Sequence, residues 1–481
     1  MLGLVQLLSA CRDIDIGRDS FIAYNLNFLL KHLKDQSKGN FNIMSSQILI
    51  AIGLCCFYFI VKFIRKTLEQ EKWSKNFRQP PKVPLLGIFL TIPKQPEEIF
   101  QKMMDFPRIY GPNLAIWGIG NKVDLLVTNP KDVEAILNGK TTKKSRLYDF
   151  IEPWLGTGLL ISFGKKWFNR RKIITPSFHF KILEKFIEVF NEQDKILVEK
   201  LNEKGGNEFN IYTNINAIAL DNVCEAAMGV KINAQENPEQ PYIKAVQEMS
   251  ELVFDRIFSI LHQFPRIYAL TPKAKRSRDV IKILHAFTDK VITDRRKQLE
   301  NSNFKMNNNF TSDTNTDEIY GSKTKLSFLD MLLNATIDGK PLSNMDIREE
   351  VDTFMFEGHD TTTSAMTFTI YHLAMNPEIQ EIAYTELRNL LGPDPDTPCT
   401  YNDLQEMKYL EMVIKEAIRM HPSVPLIGRQ RFAMLEMKCV ISTILRNYRV
   451  IATEKTKSLV LRADIVLRPI GGMFVRLEKR T

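Results

Sequence analysis

The sequence is poor in the features that hold small extracellular folds together. Six of 481 residues are cysteine (Cys11, Cys55, Cys56, Cys224, Cys399 and Cys439), and none are paired as C-x-x-C. Scattered cysteines argue against a structural zinc site or a disulfide framework and fit a reducing compartment. A large excess of one charge is also missing. There are 65 Lys+Arg against 56 Asp+Glu, a net charge of +9 spread along the chain. That balance suits a membrane surface or an acidic protein partner, and no zinc-finger or RNA-binding signature accompanies it, so nucleic acid is not an expected partner. Internal repeats are absent. With 44% apolar and 25% charged residues, wholesale disorder and fibrous architectures are excluded.

Long apolar runs are scarce, and one stands out. Ile48–Val61 is apolar throughout, and Met44–Val61 spans 18 residues, near the lower limit for crossing a bilayer. Seven Lys/Arg and two acids follow between Lys62 and Lys82, which places that side in the cytosol. A buried core helix or a cleaved signal peptide would be the alternatives. The basic flank and the missing small-residue cleavage site argue against cleavage. The expectation is therefore an N-terminal extension over 1–43, a transmembrane anchor over 44–64 and a basic, Pro-rich linker over 65–90. The body then spans 91–481.

Within the body, Leu114–Ile119 and Val123–Thr128 flank Gly120-Asn121-Lys122 and predict a hairpin. Asn129-Pro130 predicts a helix start running to Leu137. Most windows from about 165 to 300 and from about 325 to 421 read as helix. Residues 301–323 hold six Asn and almost no apolar residues, and read as a loop. Asp464–Ile470 and Met473–Leu477 around Gly471-Gly472 predict a second hairpin. The fold class expected is mainly α with small β-sheets.

Three segments carry chemistry. Glu357-Gly358-His359-Asp360-Thr361-Thr362-Thr363 interrupts an otherwise apolar helix with groups that weaken a helix interior. Such a breach marks function, a kink, or a helix end capped by Asp360. An Asp beside a Thr hydroxyl can relay protons to a bound oxidant. Glu416-Ala417-Ile418-Arg419 sets a Glu/Arg pair three residues apart, ordinarily a solvated bridge of little worth. Trp167-Phe168-Asn169-Arg170-Arg171 places an indole N–H and a guanidinium one helical turn apart, where together they can grip a carboxylate.

Together and in this order, the three segments resemble cytochrome P-450, the haem-thiolate monooxygenases, and within it the fatty-acid ω-hydroxylase branch, family 4. The supporting runs are Gly164-Lys165-Lys166-Trp167 through Phe178-His179-Phe180, Glu357 through Thr363, and Lys415-Glu416-Ala417-Ile418-Arg419-Met420-His421-Pro422 through Gly428-Arg429. The resemblance covers roughly residues 44–481. It implies haem b, held at its propionates by Trp167 and Arg171. It implies Asp360 and Thr361 as the catalytic acid–alcohol pair. Glu357 would sit where some members form an ester to haem, and Gly358 would widen the helix for oxygen. Glu416 and Arg419 would be two-thirds of a buried Glu–Arg–Arg structural triad. It further implies hydroxylation of fatty acids or other lipophiles with O2 and NADPH-derived electrons. The partners implied are the endoplasmic reticulum membrane and NADPH-cytochrome reductase, with the catalytic domain cytosolic.

One departure stands out. The family's haem ligand is a cysteine in the pattern Phe-x-x-Gly-x-Arg-x-Cys-x-Gly, and none of the six cysteines has that context. No metal ligand is therefore assigned. Gly428-Arg429 runs straight into Gln430-Arg431-Phe432-Ala433-Met434-Leu435, which resembles the helix that follows the ligand loop. An internal deletion near 429/430 that removes the meander, the last triad arginine and the ligand loop explains both flanks. The expectation is a proximal region left incomplete, with weak or absent haem binding. The shortened connection also argues against the next helix reaching its seat. The alternative function is then a catalytically inactive, haem-deficient splice or gene-model fragment of such an enzyme.

Overall fold

The structure is a computed structural model describing residues 41–139, 143–301, 327–424 and 432–480. The proposed junction at 429/430, the Asn-rich stretch and most of the N-terminal extension lie outside the described residues.

Helix α1 (Phe41–Ser74) is followed by α2 (Pro96–Tyr110), β1 (Asn113–Trp117), β2 (Val123–Val127), α3 (Gly164–Ile174) and α4 (Phe180–Asn202). Next come β3 (Phe209–Asn210), α5 (Ile211–Asn222), α6 (Pro241–Phe258), α7 (Pro272–Asn301), α8 (Asn344–Met375), α9 (Pro377–Leu391) and α10 (Lys408–Met420). The chain closes with α11 (Phe432–Asn447), β4 (Tyr448–Ala452), β5 (Leu461–Ala463), β6 (Leu467–Pro469) and β7 (Phe474–Lys479). The class is mainly helical with small antiparallel sheets, as the sequence predicts.

The first hairpin forms as expected, with Asn113 opposite Val127 and Trp117 opposite Val123. The helix starting at Pro130 also forms, Asn129 accepting from the Lys131 N–H as its cap. The second hairpin does not. β6 pairs with β5, and β7 pairs with β4 and β3. Gly471 and Gly472, at φ 79° and 106°, turn the chain from one sheet to the other instead of closing a hairpin. A side chain on Gly472 would fall on Asn210, so β7 packs against the α5 entry there.

The main core lies between α4, α5, α8 and α11, with Phe190, Leu197, Ile215, Ile218, Met366, Ile370, Val440 and Ile444 all buried. This corrects the expectation for the segment after the junction. Helix α11 is fully seated, with Leu435, Met437, Cys439, Ile441 and Leu445 inside the core. Buried Lys438 donates to the Leu404 carbonyl at 2.7 Å and pairs with Glu411 at 2.5 Å. The apolar face of this helix is long enough to dock without a long lead-in, because burial is the dominant favourable term.

No helix among the described residues is long and apolar enough to cross a membrane. Helix α1 exists and continues to Ser74, well into the expected linker. Its described apolar side chains begin at Leu49 and meet Lys62, so the anchor expected over 44–64 is not shown by these residues. Those side chains stand in solvent: Leu49 is 68% exposed, Ile50 62% and Phe57 65%.

Candidate functional site

Helix α8 carries the most informative segment through the centre of the molecule. It starts on a capping box: Ser343 Oγ accepts from the Asp346 N–H at 3.1 Å, and Asp346 Oδ2 accepts from the Ser343 N–H at 3.2 Å. The helix then runs unbroken for 32 residues. Its threonine run is accommodated by back-bonding. Thr361, Thr362 and Thr363 donate to the carbonyls four residues earlier, at 2.5, 2.6 and 2.8 Å. Asp360 is mid-helix and caps nothing, so the alternative of a helix end capped by Asp360 is not what forms. Gly358 permits close packing. A Cβ there would lie 2.8 Å from Val223 Cγ2, in the π-turn Val223–Ala227 that ends α5.

Four positions on α8 keep contact with solvent although their neighbours are buried. These are Phe354, Glu357, Gly358 and Thr361, spaced three, one and three apart, while Met355, Phe356, His359 and Asp360 are closed off. Such spacing marks one helix face, partly accessible and packed at Phe354 against Phe178 and Phe328. Loss of water around Glu357 pushes its carboxyl up to about 7, with Lys144 pulling it down and Glu350 pushing it further up. The Tyr148 phenol is raised by burial and then by the Glu357 charge.

Asp360 is set apart from that face. It is 1% exposed, and its Oδ2 accepts from Arg468 Nη2 at 2.6 Å. Its Oδ1 is buried without a hydrogen-bond partner among the described residues. Burial opposes the Arg468 charge, but Asp360 and Tyr212 outweigh it and hold the guanidinium above its usual range. Strand β6 brings Arg468 in and is itself tied to α8, since Ser364 Oγ donates to the Leu467 carbonyl at 2.7 Å. Arg468 was missed from sequence. The available signal was a lone arginine between apolar neighbours in Val466-Leu467-Arg468-Pro469, because a charge enclosed by a strand needs a partner.

On α3, Trp167 is partly exposed and Arg171 exposed, one turn apart on one face, as a carboxylate grip requires. The neighbouring Arg170 turns the other way. It is 2% exposed and pairs with Asp346 and, at 3.7 Å, with Glu350. The resemblance singles out Arg171 and not Arg170, and the helix phase places the two arginines on different sides. Glu416 and Arg419 on α10 do pair, by two 2.7 Å hydrogen bonds. Their side chains are 56% and 70% exposed, so the pair is a surface bridge and not the buried part of a triad.

Haem needs an axial ligand as well as this distal face, and the described cysteines do not fit that role. Cys224 is buried against Met355, Cys399 and Cys439 are enclosed between α4 and α11, and Cys56 is exposed on α1. No group of three or more His, Cys, Asp or Glu among the described residues could hold a metal ion. Residues 425–431 lie outside the described residues and contain no cysteine. Trp167, Arg171 and the α8 face thus fit one side of a haem, and no cysteine among the described residues fits its thiolate side.

Fold, helix face and motif order together define a haem-thiolate monooxygenase scaffold. Residues 78–430 match the family model for Cytochrome P450, and the chain belongs to that family, whose cofactor is haem. The chain is 43% identical over 480 positions to Cytochrome P450 4d1 of Drosophila melanogaster, covering 83% of this chain and 93% of the relative. It is 36% identical over 497 positions to Cytochrome P450 4c3 of the same fly, covering 88% and 92%. Against human Cytochrome P450 4V2 it is 34% identical over 511 positions, covering 89% and 95%. These relatives make it family 4-like. The family match ends at 430, beside the junction inferred from sequence. The alignment to 4d1 spans 480 positions yet takes in 83% of the 481 residues here, so that relative carries segments with no counterpart in this chain.

Proposed function

We propose that this chain has the body of a fatty-acid-hydroxylating monooxygenase and, in this form, does not activate oxygen. One observation carries the reading: no cysteine stands in the ligand context, and the described interior cysteines are enclosed in the core. A thiolate ligand pushes electron density toward iron and favours O–O cleavage, and no other described group supplies it. What the chain retains is the distal half. The Glu357–Thr361 face of α8 stays partly accessible, Glu357 near neutrality can hold or release a proton at its carboxylate, and Trp167 with Arg171 can bind two carboxylates. Fatty acid is the substrate class of the family 4 branch that the motifs resemble.

Helix α1 supports attachment to the endoplasmic reticulum membrane, with its exposed apolar side chains followed by the basic stretch from Lys62 to Lys82. The cytosolic body would then face the NADPH-cytochrome reductase. Deleting residues 44–64 is expected to release the chain from vesicles, and retention would contradict the anchor.

The activity test is direct. The chain incubated with reductase, NADPH and a labelled fatty acid is expected to give no hydroxylated product, and turnover would overturn the proposal. Inserting the ligand loop of a family 4 relative at 429/430 is expected to restore fatty-acid hydroxylation. Product from other lipophiles but not fatty acids would refute the substrate class. Sequencing the transcript across codons 425–435 shows whether a form with the loop is made.

A further inference from the structure

Helix α6 ends in a cation that no acid among the described residues neutralises. The three acids of this helix are each taken by a base elsewhere. Glu248 pairs with Arg276, Glu251 with Arg462 at 3.3 Å, and Asp255 with Lys273. Arg256, in the last turn, is left without a carboxylate. Burial pulls its guanidinium below the usual range, and the only charge acting on it is that of Tyr268.

Three separate pieces of chain meet at Arg256. Its guanidinium lies over the Tyr268 ring at 4.2 Å and over the Phe150 ring at 5.1 Å. Phe150 ends the turn Arg146–Phe150, and Tyr268 sits in the short helix Pro265–Ala269. The Arg256 Nε donates to the His262 carbonyl at 3.4 Å. His262 meets Tyr268 edge-on, with ring centres 5.5 Å apart. The Arg256 Nη atoms find no acceptor among the described residues, and they are not enclosed.

We propose that Arg256 binds the carboxylate of a long-chain fatty acid. The assignment rests on the fatty-acid reading above and names the residue that recognises the acid end. A half-buried guanidinium without a counter-ion is costly, and an anion brought to it relieves that cost. The aromatic rings hold the planar head by cation–π attraction. Its Nη edge stays free, and that fork matches the two oxygens of a carboxylate. An apolar surface adjoins the charge. Leu261 and Ile267 are next in sequence to His262 and Tyr268, and with Phe264 they are exposed. Covering them with an alkyl chain removes apolar area from water. A small inorganic anion would gain the charge contact and nothing from these side chains.

The test is equilibrium dialysis of the full chain, without added haem, against radiolabelled dodecanoic acid and its methyl ester. The two probes share the alkyl chain and differ in charge. The acid is expected to bind roughly tenfold or more tightly than the ester. Arg256→Gln should bring the acid to the level of the ester and leave the ester unchanged, while Arg256→Lys should keep part of the preference. Arg266→Gln removes the same charge from the neighbouring helix and should leave the preference intact. Unfolding midpoints are measured alongside. A purely structural Arg256 would lower the midpoint and weaken both probes together with their ratio unchanged, and that result overturns the proposal. Equal binding of acid and ester also overturns it and leaves the lipophile reading standing. So does loss of the preference in Arg266→Gln, or displacement of the acid by inorganic phosphate at matched concentration. Binding of neither probe would refute the fatty-acid reading itself, and this assignment with it.

Discussion

Two Arg–carboxylate pairs in this molecule have nearly the same bond lengths and different consequences. Asp360–Arg468 closes at 2.6 Å with side chains 0% and 9% exposed. Glu416–Arg419 closes at 2.7 Å with side chains 56% and 70% exposed. The first joins α8 to β6 across 108 residues of sequence, and the second spans one turn of α10. Burial, not bond length, decides what each is worth. The comparison also separates the two sides of the site. The distal side keeps its helix, its cap and its buried partner. On the proximal side, the pair expected to sit inside a triad lies open to solvent.

The largest expected effect comes from breaking the buried pair. Arg468→Ala leaves Asp360 charged and enclosed, and should cost about 3–5 kcal/mol in denaturant unfolding. The double change Arg468→Met with Asp360→Leu should recover most of that loss. A single change that costs nothing would mean the pair is not buried in solution.

A third carboxylate sharpens the contrast, because it is buried with no arginine paired to it among the described residues. Glu436 on α11 is enclosed, accepting a 3.3 Å bond from Asn222 and a hydrogen bond from Thr362. Burial pushes it up to about 8, against Asn222 and with Asp194 adding to the rise. The folded state then binds a proton that the unfolded state has released above its ordinary carboxylate range near 4.5. Stability from this group is full below that range and is lost as pH rises through about 8. Glu436→Gln should flatten this decline and stabilise the chain at pH 8 while changing little at pH 4. An unchanged pH profile would show that Glu436 is solvated.

Gly358→Ala probes the contact between α8 and the α5 π-turn. Its Cβ would meet Val223, and overpacking of this kind costs about 1–3 kcal/mol. Val223→Ala in the same chain should relieve it. The smallest effect is expected at the surface pair, where Glu416→Ala should leave the unfolding midpoint unchanged. A clear loss there would show that the proximal face is covered by something that buries it.

Some of this was legible in the sequence for physical reasons. The polar run at Glu357–Thr363 is conspicuous because an apolar helix rarely carries such groups, and the structure places it on the central helix. Thr361 and Glu357 share the open face that the resemblance assigns to chemistry. The spacing of Trp167 and Arg171 puts them one turn apart on a helix, and the resemblance is what assigns them to haem. The missing axial ligand is a matter of residue identity and needs no structure. Other features depend on long-range packing, which no local pattern carries. Arg468 reaches Asp360 only because β6 lies along α8. The burial of Glu436 and Cys439 depends on α11 docking into the bundle after the junction. The paired glycines at 471 and 472 look like a hairpin turn, and only the competing edge at β4 shows otherwise.

The central claim is that this chain offers haem a distal face and no thiolate. The most direct measurement is the carbon monoxide spectrum of the purified, haem-supplemented and reduced protein. The account predicts no thiolate-type Soret band at any haem loading. A normal thiolate-type band, lost on substitution of one of the six cysteines, would contradict it.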